Sequence, residues 1–396
     1  MKKTLVALAA LAATSAFAQS TSVTLSGRAS MDVSTFAITG STAANNDYGK
    51  RLRVADTASR ITFAANEDLG GGTRAGVYCE TGLNIDTANA NGQANSANAN
   101  TSEWCSREGR MYYGSGNYEV RLGRQNVWWT QGELNQVGST FMGSDSATNL
   151  QNGGAGVYVT RGENMAKFAL TGGQFAGSEV YYGIMGGATG EAAPVSVEPK
   201  GTYSGMKLQY TAGQWVGLFD FQASENSAAA AASITAVGAN SFDRTATKYG
   251  VAFKYNPTSL VSLQMWNKNR RDKTNGAAAL NQTVALNATN TGDAEDSGYS
   301  IVAKHDLGAG LMAHAQYSKA NNLKSKGVEQ DNTGATGITL GATKAFSKRT
   351  HVYGAYHKIT NQSAALYTMG GGNYQSGAAA AGGDTKMLAL GMIHNF

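Results

Sequence analysis

Charged side chains recur at alternate positions of several short segments. Arg60 shares its parity with Thr62, whereas Ile61 and Phe63 take the other parity. Because successive side chains of a β-strand point to opposite faces, Arg60 is predicted to face a polar interior. The same alternation turns four more charged side chains inward: Arg74, Glu80, Glu119 and Arg121. Stacked guanidinium groups repel one another, so several of them on one wall are costly unless they focus the electrostatic field in a narrow passage. The alternative is that they only pair with carboxylates or solvate a wide interior.

The elements that must position these side chains are strands of about ten residues, the length of a tilted membrane strand. Residues 248–255 show the pattern, with Tyr249, Val251 and Phe253 on one face. Seven short connectors are predicted at residues 67–72, 114–117, 161–164, 212–213, 256–259, 306–309 and 346–349. Eight long connectors alternate with them at residues 37–58, 83–103, 127–153, 173–201, 225–243, 270–296, 320–334 and 361–383.

This count predicts the fold class. Seven turns and eight loops join sixteen strands, so we expect an all-β protein, a sixteen-stranded antiparallel transmembrane β-barrel. The three prolines, Pro194, Pro199 and Pro257, all fall in connectors, as a continuous hydrogen-bonded sheet requires. A closed sheet of this size is too wide for its own side chains to fill, which indicates a water-filled pore.

The two ends of the chain agree with export to a membrane. Lys2 and Lys3 precede an apolar run at residues 5–13, the pattern of a secretory signal peptide. We therefore expect residues 1–18 to be removed and residues 19–396 to form one domain. At the other end, Leu388, Leu390 and Met392 alternate with small or polar residues and the chain stops at Phe396, which predicts the closing strand.

Composition argues against several classes of function. The formal charge of +5 falls to +3 without Lys2 and Lys3, so nucleic-acid binding has no support. His351 and His357 share a face but would lie about 20 Å apart on a strand, so no metal site is predicted. No phosphate-binding loop, nucleophile motif or cofactor motif is present, and an enzyme is therefore not expected.

Cys79 and Cys105 are the only cysteines, and an oxidising periplasm would permit a disulfide between them. Cys79 shares the outward parity of Val77, whereas Cys105 shares the parity of Arg107. A bond therefore requires Cys105 to lie on the shoulder of a loop, and the pairing stays open at this point.

Three segments resemble a known family: residues 23–28 (VTLSGR), residues 59–72 (SRITFAANEDLGGG) and residues 107–125, the last of which ends in LGRQ. Together they resemble the general porins of Gram-negative bacteria, in particular the trimeric porins of betaproteobacteria. The resemblance implies a homotrimer in the outer membrane that passes small hydrophilic solutes and ions. It also implies that Phe396 is similar to the terminal aromatic signal read by the barrel-assembly machinery.

The resemblance further implies a pore constriction, formed where the third loop, residues 126–153, folds inward against a ladder of basic side chains. Arg28, Arg60 and Arg107 occupy the ladder positions, and we add the inward-facing Arg74 and Arg121. Glu133 and Asp145 are the only acids in the loop, so we expect an anion-preferring pore. An arginine that some relatives supply after this loop is missing from residues 151–153.

Arg110 and Arg124 are assigned to the outward parity, where a charge facing hydrocarbon costs about 2–4 kcal/mol at the membrane midplane. A trimer interface would shelter them, with Glu108 or a neighbouring loop as a partner; the alternative is a place at the membrane edge among headgroups. Trp128 and Trp129 open the third loop and are interpreted as its anchor. If they lined the path instead, a substrate-specific channel for a sugar or organic acid would be favoured, and a surface adhesin remains a third alternative.

Overall fold

The computed structural model describes residues 21–42, 47–83, 85–86, 104–127, 150–151, 161–184, 201–226, 242–272, 293–367, 369 and 381–396. Its strands are β1 (Thr21–Thr39), β2 (Tyr48–Asp56), β3 (Arg60–Gly70), β4 (Thr73–Gly82), β5 (Glu108–Ser115), β6 (Tyr118–Asn126), β7 (Arg161–Leu170), β8 (Glu179–Ile184), β9 (Gly201–Ala212), β10 (Trp215–Asn226), β11 (Phe242–Phe253), β12 (Leu260–Asp272), β13 (Ala294–Gly308), β14 (Leu311–Ala320), β15 (Lys324–Ser325), β16 (Val328–Glu329), β17 (Ala335–Ala345), β18 (Thr350–Asn361) and β19 (Asp384–Asn395).

These strands form one closed antiparallel sheet. β2 and β3 both pair with β1 and act as two parts of one barrel strand, while β15 and β16 form a small hairpin in the loop between β14 and β17. The barrel therefore has sixteen strands, and β19 pairs with β1 to close it. The predicted fold class is confirmed.

One predicted turn is wrong. Residues 161–164 open β7, and the third short turn lies at residues 171–178, between β7 and β8. The polar run that reads as a turn in the sequence is instead an irregularity inside a strand. Gln125 pairs with Gly162 and Gly123 with Met165, so the register shifts there. Glycine and asparagine signal a bulge as readily as a turn, and composition alone does not separate the two.

The barrel wall separates an apolar outer face from an inner face. In β19 the outward Leu388, Leu390 and Met392 are 53%, 66% and 55% exposed, whereas Ala389 and Ile393, on the other parity, are buried. This matches the alternation in the sequence and places a hydrophobic surface outside the barrel, where lipid would lie. In the described ranges, no helix has the length and apolar character needed to span a membrane.

The seam between the first and last strands ends in a tight contact. The backbone N–H groups of Gly27 and Phe396 each donate to the other residue's carbonyl oxygen at 3.0 Å. The Phe396 ring lies over Gly27, where an added Cβ would come within 2.3 Å of a ring carbon. The ring thus fills the space that a side chain at position 27 would need. The predicted pairing of the chain end with the first strand is confirmed.

We predict that Gly27→Ala destabilises the barrel by about 1–3 kcal/mol, because the new methyl group overpacks against the Phe396 ring and the Arg60 carbonyl. The measurement is the urea concentration at the midpoint of unfolding, monitored by tryptophan fluorescence and by the heat-modifiable gel mobility of the barrel. Gly217→Ala is the matched control, because a Cβ added there would have no neighbouring atom within 4 Å. Equal midpoints for the two variants would contradict the packing described for the seam.

Candidate functional site

Several charged side chains on the inner wall of the barrel gather around one buried carboxylate, Glu80 on β4, and we call this group the inner cluster. Glu80 pairs with Arg107 at 2.6 Å and with Arg60 on β3 at 3.3 Å. Arg28 lies directly opposite Arg60 in the pairing of β1 with β3, and it also lies within electrostatic range of Arg107. The structure therefore brings together the three arginines that the family resemblance assigns to the ladder.

A break in the second barrel strand turns Arg60 inward. Asp56 pairs with Met31 and Arg60 with Arg28, so three residues of the break oppose only two of β1. The extra residue reverses the alternation, because a β-bulge shifts every following side chain to the other face. Without the extra residue, strict alternation from the buried, inward-facing Ala55 would place Arg60 on the lipid face.

The break is held in place by side chains rather than by a glycine. Ala58 adopts a φ of 82°, a left-handed conformation that is costly for a residue with a Cβ. The Asp56 carboxylate accepts hydrogen bonds from the backbone N–H of Ala58 and of Ser59, each at 2.8 Å. The Ser59 hydroxyl in turn accepts one from the Ser30 N–H at 2.9 Å. These bonds fix the backbone that carries Arg60.

A disulfide positions Arg107. Cys79 and Cys105 are bonded, so the segment before β5 is tied next to Glu80. The backbone N–H of Arg107 donates to the Glu80 carbonyl at 3.0 Å, and its guanidinium then reaches the Glu80 carboxylate. Cys105 lies in the irregular segment before β5, with a positive φ of 61°, and this satisfies the requirement that it leave strand geometry.

The prediction that Arg110 faces outward was wrong. On β5 the exposed side chains are Met111 and Tyr113, and Arg110 alternates with them. Its guanidinium lies 4.0 Å from the centre of the inward-facing Tyr78 ring and is paired with Glu108.

Arg107 gives no guide to the direction of Arg110. It precedes β5 and reaches Glu80 from irregular backbone, so its inward direction says nothing about parity within the strand. Glu108 lies on the inner wall as well, opposite Glu80 in the register of β4 with β5, and the Asn126 side-chain amide donates to it. Glu108 and Arg110 therefore belong with the cluster and not with an outer interface.

Arg124 differs from Arg110. It pairs in register with Gly109, which has the outward parity of Met111. Its guanidinium donates to the Ser106 carbonyl at 2.9 Å and is paired with Glu163. The charge on this outer face is thus at least partly neutralised within the chain.

Sequence reasoning missed Arg161, the first residue of β7. It lies in electrostatic range of Arg107, Glu80 and Glu108, and so it joins the cluster. The expectation that the arginine after the third loop is missing was wrong, because it rested on residues 151–153, whereas the next strand, β7, begins at Arg161. The correct boundary of the strand would have revealed it.

Arg74 and Arg121 lie elsewhere on the wall. Both pair with Glu119, at 2.9 Å and 2.7 Å, near the turn that joins β5 to β6. Arg74 is six residues from Glu80 along β4, about 20 Å at the rise of a strand. The structure therefore does not bring these two arginines together with Arg28, Arg60 and Arg107.

Several predicted features lie outside the described residues. They are the signal peptide at residues 1–18, the loop acids Glu133 and Asp145, and the tryptophans Trp128 and Trp129. They stay predictions.

The inner cluster comprises five arginines (Arg28, Arg60, Arg107, Arg110 and Arg161) and two glutamates (Glu80 and Glu108), a formal charge of +3. A second group follows on β7 to β11, where charges alternate in sign from strand to strand: Lys167, Glu179, Lys207, Asp220 and Lys248. This belt is close to balanced, so the stronger positive field lies at the arginines. Rings and walls of charge of this kind act on ions in transit.

Comparisons with known proteins agree with this geometry. Residues 4–365 match the model of a Gram-negative porin family. The outer membrane porin protein 32 of Delftia acidovorans is 26% identical over 402 residues, with 100% of both chains covered.

Solved structures share the fold. An anion-selective porin from Comamonas acidovorans superimposes with a TM-score of 0.68 at 20% identity, over 95% of this chain and 100% of the other. The trimer form of OmpT from Vibrio cholerae gives 0.62 at 11% identity, over 95% and 100%.

This family and this fold are those of channels rather than of enzymes. A closed barrel with an apolar exterior and a charged inner wall is suited to carry hydrophilic solutes through lipid. The chain belongs to the Gram-negative porins, and it forms an outer-membrane channel for the passive diffusion of small hydrophilic solutes and ions.

Proposed function

We propose that this channel prefers anions and that the arginine cluster around Glu80 sets the preference. The observation that carries the proposal is the imbalance of charge at one place on the inner wall. Glu80 is shared by Arg60 and Arg107, so one carboxylate serves two guanidinium groups. Positive charge therefore remains available to a passing anion.

The described residues at either end of the third loop support a constriction at this level. Asn126, where the loop begins, donates to Glu108 inside the cluster. Near its other end, the backbone carbonyl of Gln151 accepts a hydrogen bond from Lys268 on β12, which belongs to another part of the wall. Leu150 beside it is fully buried. We infer that the loop crosses the lumen and confines ions against the arginines.

The relatives support the same direction. The name of the Comamonas acidovorans structure describes an anion-selective porin, and its barrel superimposes on this chain. No described residue favours a sugar-specific path or an adhesin over this function.

We also propose a homotrimer, with the signal peptide removed at Ala18. One of the similar structures is a trimer form. Arg124 and Glu163 form an ion pair on the outer face, and a protein neighbour would accommodate that pair better than hydrocarbon. Conductance that appears in bilayers in steps of three would support the trimer, and single steps throughout would contradict it.

The first test removes cluster charge. Arg60→Gln/Arg107→Gln lowers the formal charge of the cluster from +3 to +1, and we expect the ratio of anion to cation permeability to fall roughly threefold or more. The measurement is the reversal potential in planar bilayers across a potassium chloride gradient. Arg74→Gln/Arg121→Gln is the matched control, with two arginines removed from the group at Glu119. An equal shift in both variants, or no shift in either, would contradict the assignment.

The second test removes the opposing charge. Glu80→Gln keeps the shape of the side chain and raises the formal charge of the cluster, so anion preference should increase, on the order of twofold. Glu119→Gln is its control at the other arginine pair. A loss of anion preference in Glu80→Gln would show that Glu80 matters for holding the arginines and not for the balance of charge.

A further inference from the structure

A buried ion pair on the wall is connected to two of the long loops. Lys268 on β12 pairs with Asp296 on β13 at 3.1 Å, and both side chains are 0% exposed. The Trp266 indole N–H also donates to Asp296, at 3.2 Å. Removing two charges from water is costly, and an apolar pair of similar volume would often be as stable, so such a pair is weak evidence for a role in stability alone.

The pair holds the third loop on one side. The Lys268 ammonium donates to the backbone carbonyl of Gln151 at 2.5 Å, across 117 residues of sequence. Lysine offers three donors, so it can bind a carboxylate of the wall and a loop carbonyl at once. Lys167 makes a comparable contact where the same loop begins, since it donates to the Asn126 carbonyl at 2.5 Å and pairs with Glu179 at 3.1 Å.

The eighth loop, residues 362–383, approaches the pair from another direction. Tyr367 is fully buried, and its hydroxyl lies in electrostatic range of Asp296. Its backbone is held by Asn361, whose side chain donates to the Tyr367 carbonyl at 2.8 Å and accepts from the Tyr367 N–H at 3.1 Å. Tyr367 belongs to the same buried apolar cluster as Leu150 of the third loop.

We propose that the Lys268–Asp296 pair is a latch that holds the third and eighth loops inside the barrel and thereby sets the width of the pore. The latch is a positioning device, because neither side chain needs to touch the permeating solute. This inference rests on the proposed inward course of the third loop. It assigns size selection to residues far along the chain from the arginines, which set charge preference.

The test compares two lysine variants of the full-length channel. Lys268→Met removes the bond to the Gln151 carbonyl while keeping most of the side-chain volume. Lys358→Met is the matched control, since Lys358 pairs with Asp384 on a neighbouring strand at 3.5 Å but shares the outward parity of the exposed Tyr356. Single-channel conductance is recorded in planar bilayers, and swelling of liposomes in sugars of increasing size gives the exclusion limit.

We expect Lys268→Met to raise the conductance on the order of 1.5-fold and to admit larger sugars, with neither change in Lys358→Met. Asp296→Asn provides a second variant in case Lys268→Met does not fold, and it should also widen the pore because Lys268 loses its partner in the wall. Wild-type conductance and exclusion limit in the folded variants, or equal changes in the control, would overturn the latch. Reversal potentials measured on the same channels separate the two proposals. If the wild-type channel shows no anion preference, the proposed selectivity is rejected, but the result on pore size still stands.

Discussion

A strand edge has no hydrogen-bond partner in hydrocarbon, and the closure of the sheet by β1 and β19 is the constraint from which the rest of this structure follows. Once the sheet is closed, each strand has one face towards lipid and one towards the lumen. Apolar side chains such as Leu390 can then remain exposed outside. Charged side chains accumulate inside, where water and opposite charges are available. Strict alternation thus connects the stability of the barrel with its electrostatics.

The inner cluster depends on departures from that regularity. Arg60 reaches the lumen because the break at residues 57–59 reverses the parity of its strand. Arg107 reaches Glu80 from backbone outside β5, next to the Cys79–Cys105 disulfide. A perfectly regular barrel with this sequence would not bring these two arginines to one carboxylate. The irregular backbone is therefore concentrated where the charges meet.

The barrel could be predicted from the sequence, but the arrangement of the inner cluster could be predicted only in part. Alternation identified the lipid face of β19 and the inward direction of Arg60, because a side-chain period of two is a local property. It misplaced Arg110, which faces inward on β5, and the turn at residues 161–164, which is a shift of register within β7. Arg161 was missed for the same reason. Bulges and strand ends depend on contacts with neighbouring strands, and those contacts are not visible in a local pattern.

We propose that anions pass along the arginines around Glu80. Anomalous diffraction from crystals soaked in rubidium bromide would show this path, because data at the two absorption edges locate the anion and the cation separately. We expect bromide within contact distance of Arg28, beside Arg60 and Arg107, and no rubidium at that level of the pore. Rubidium bound at Glu80, with bromide absent from the arginines, would contradict it.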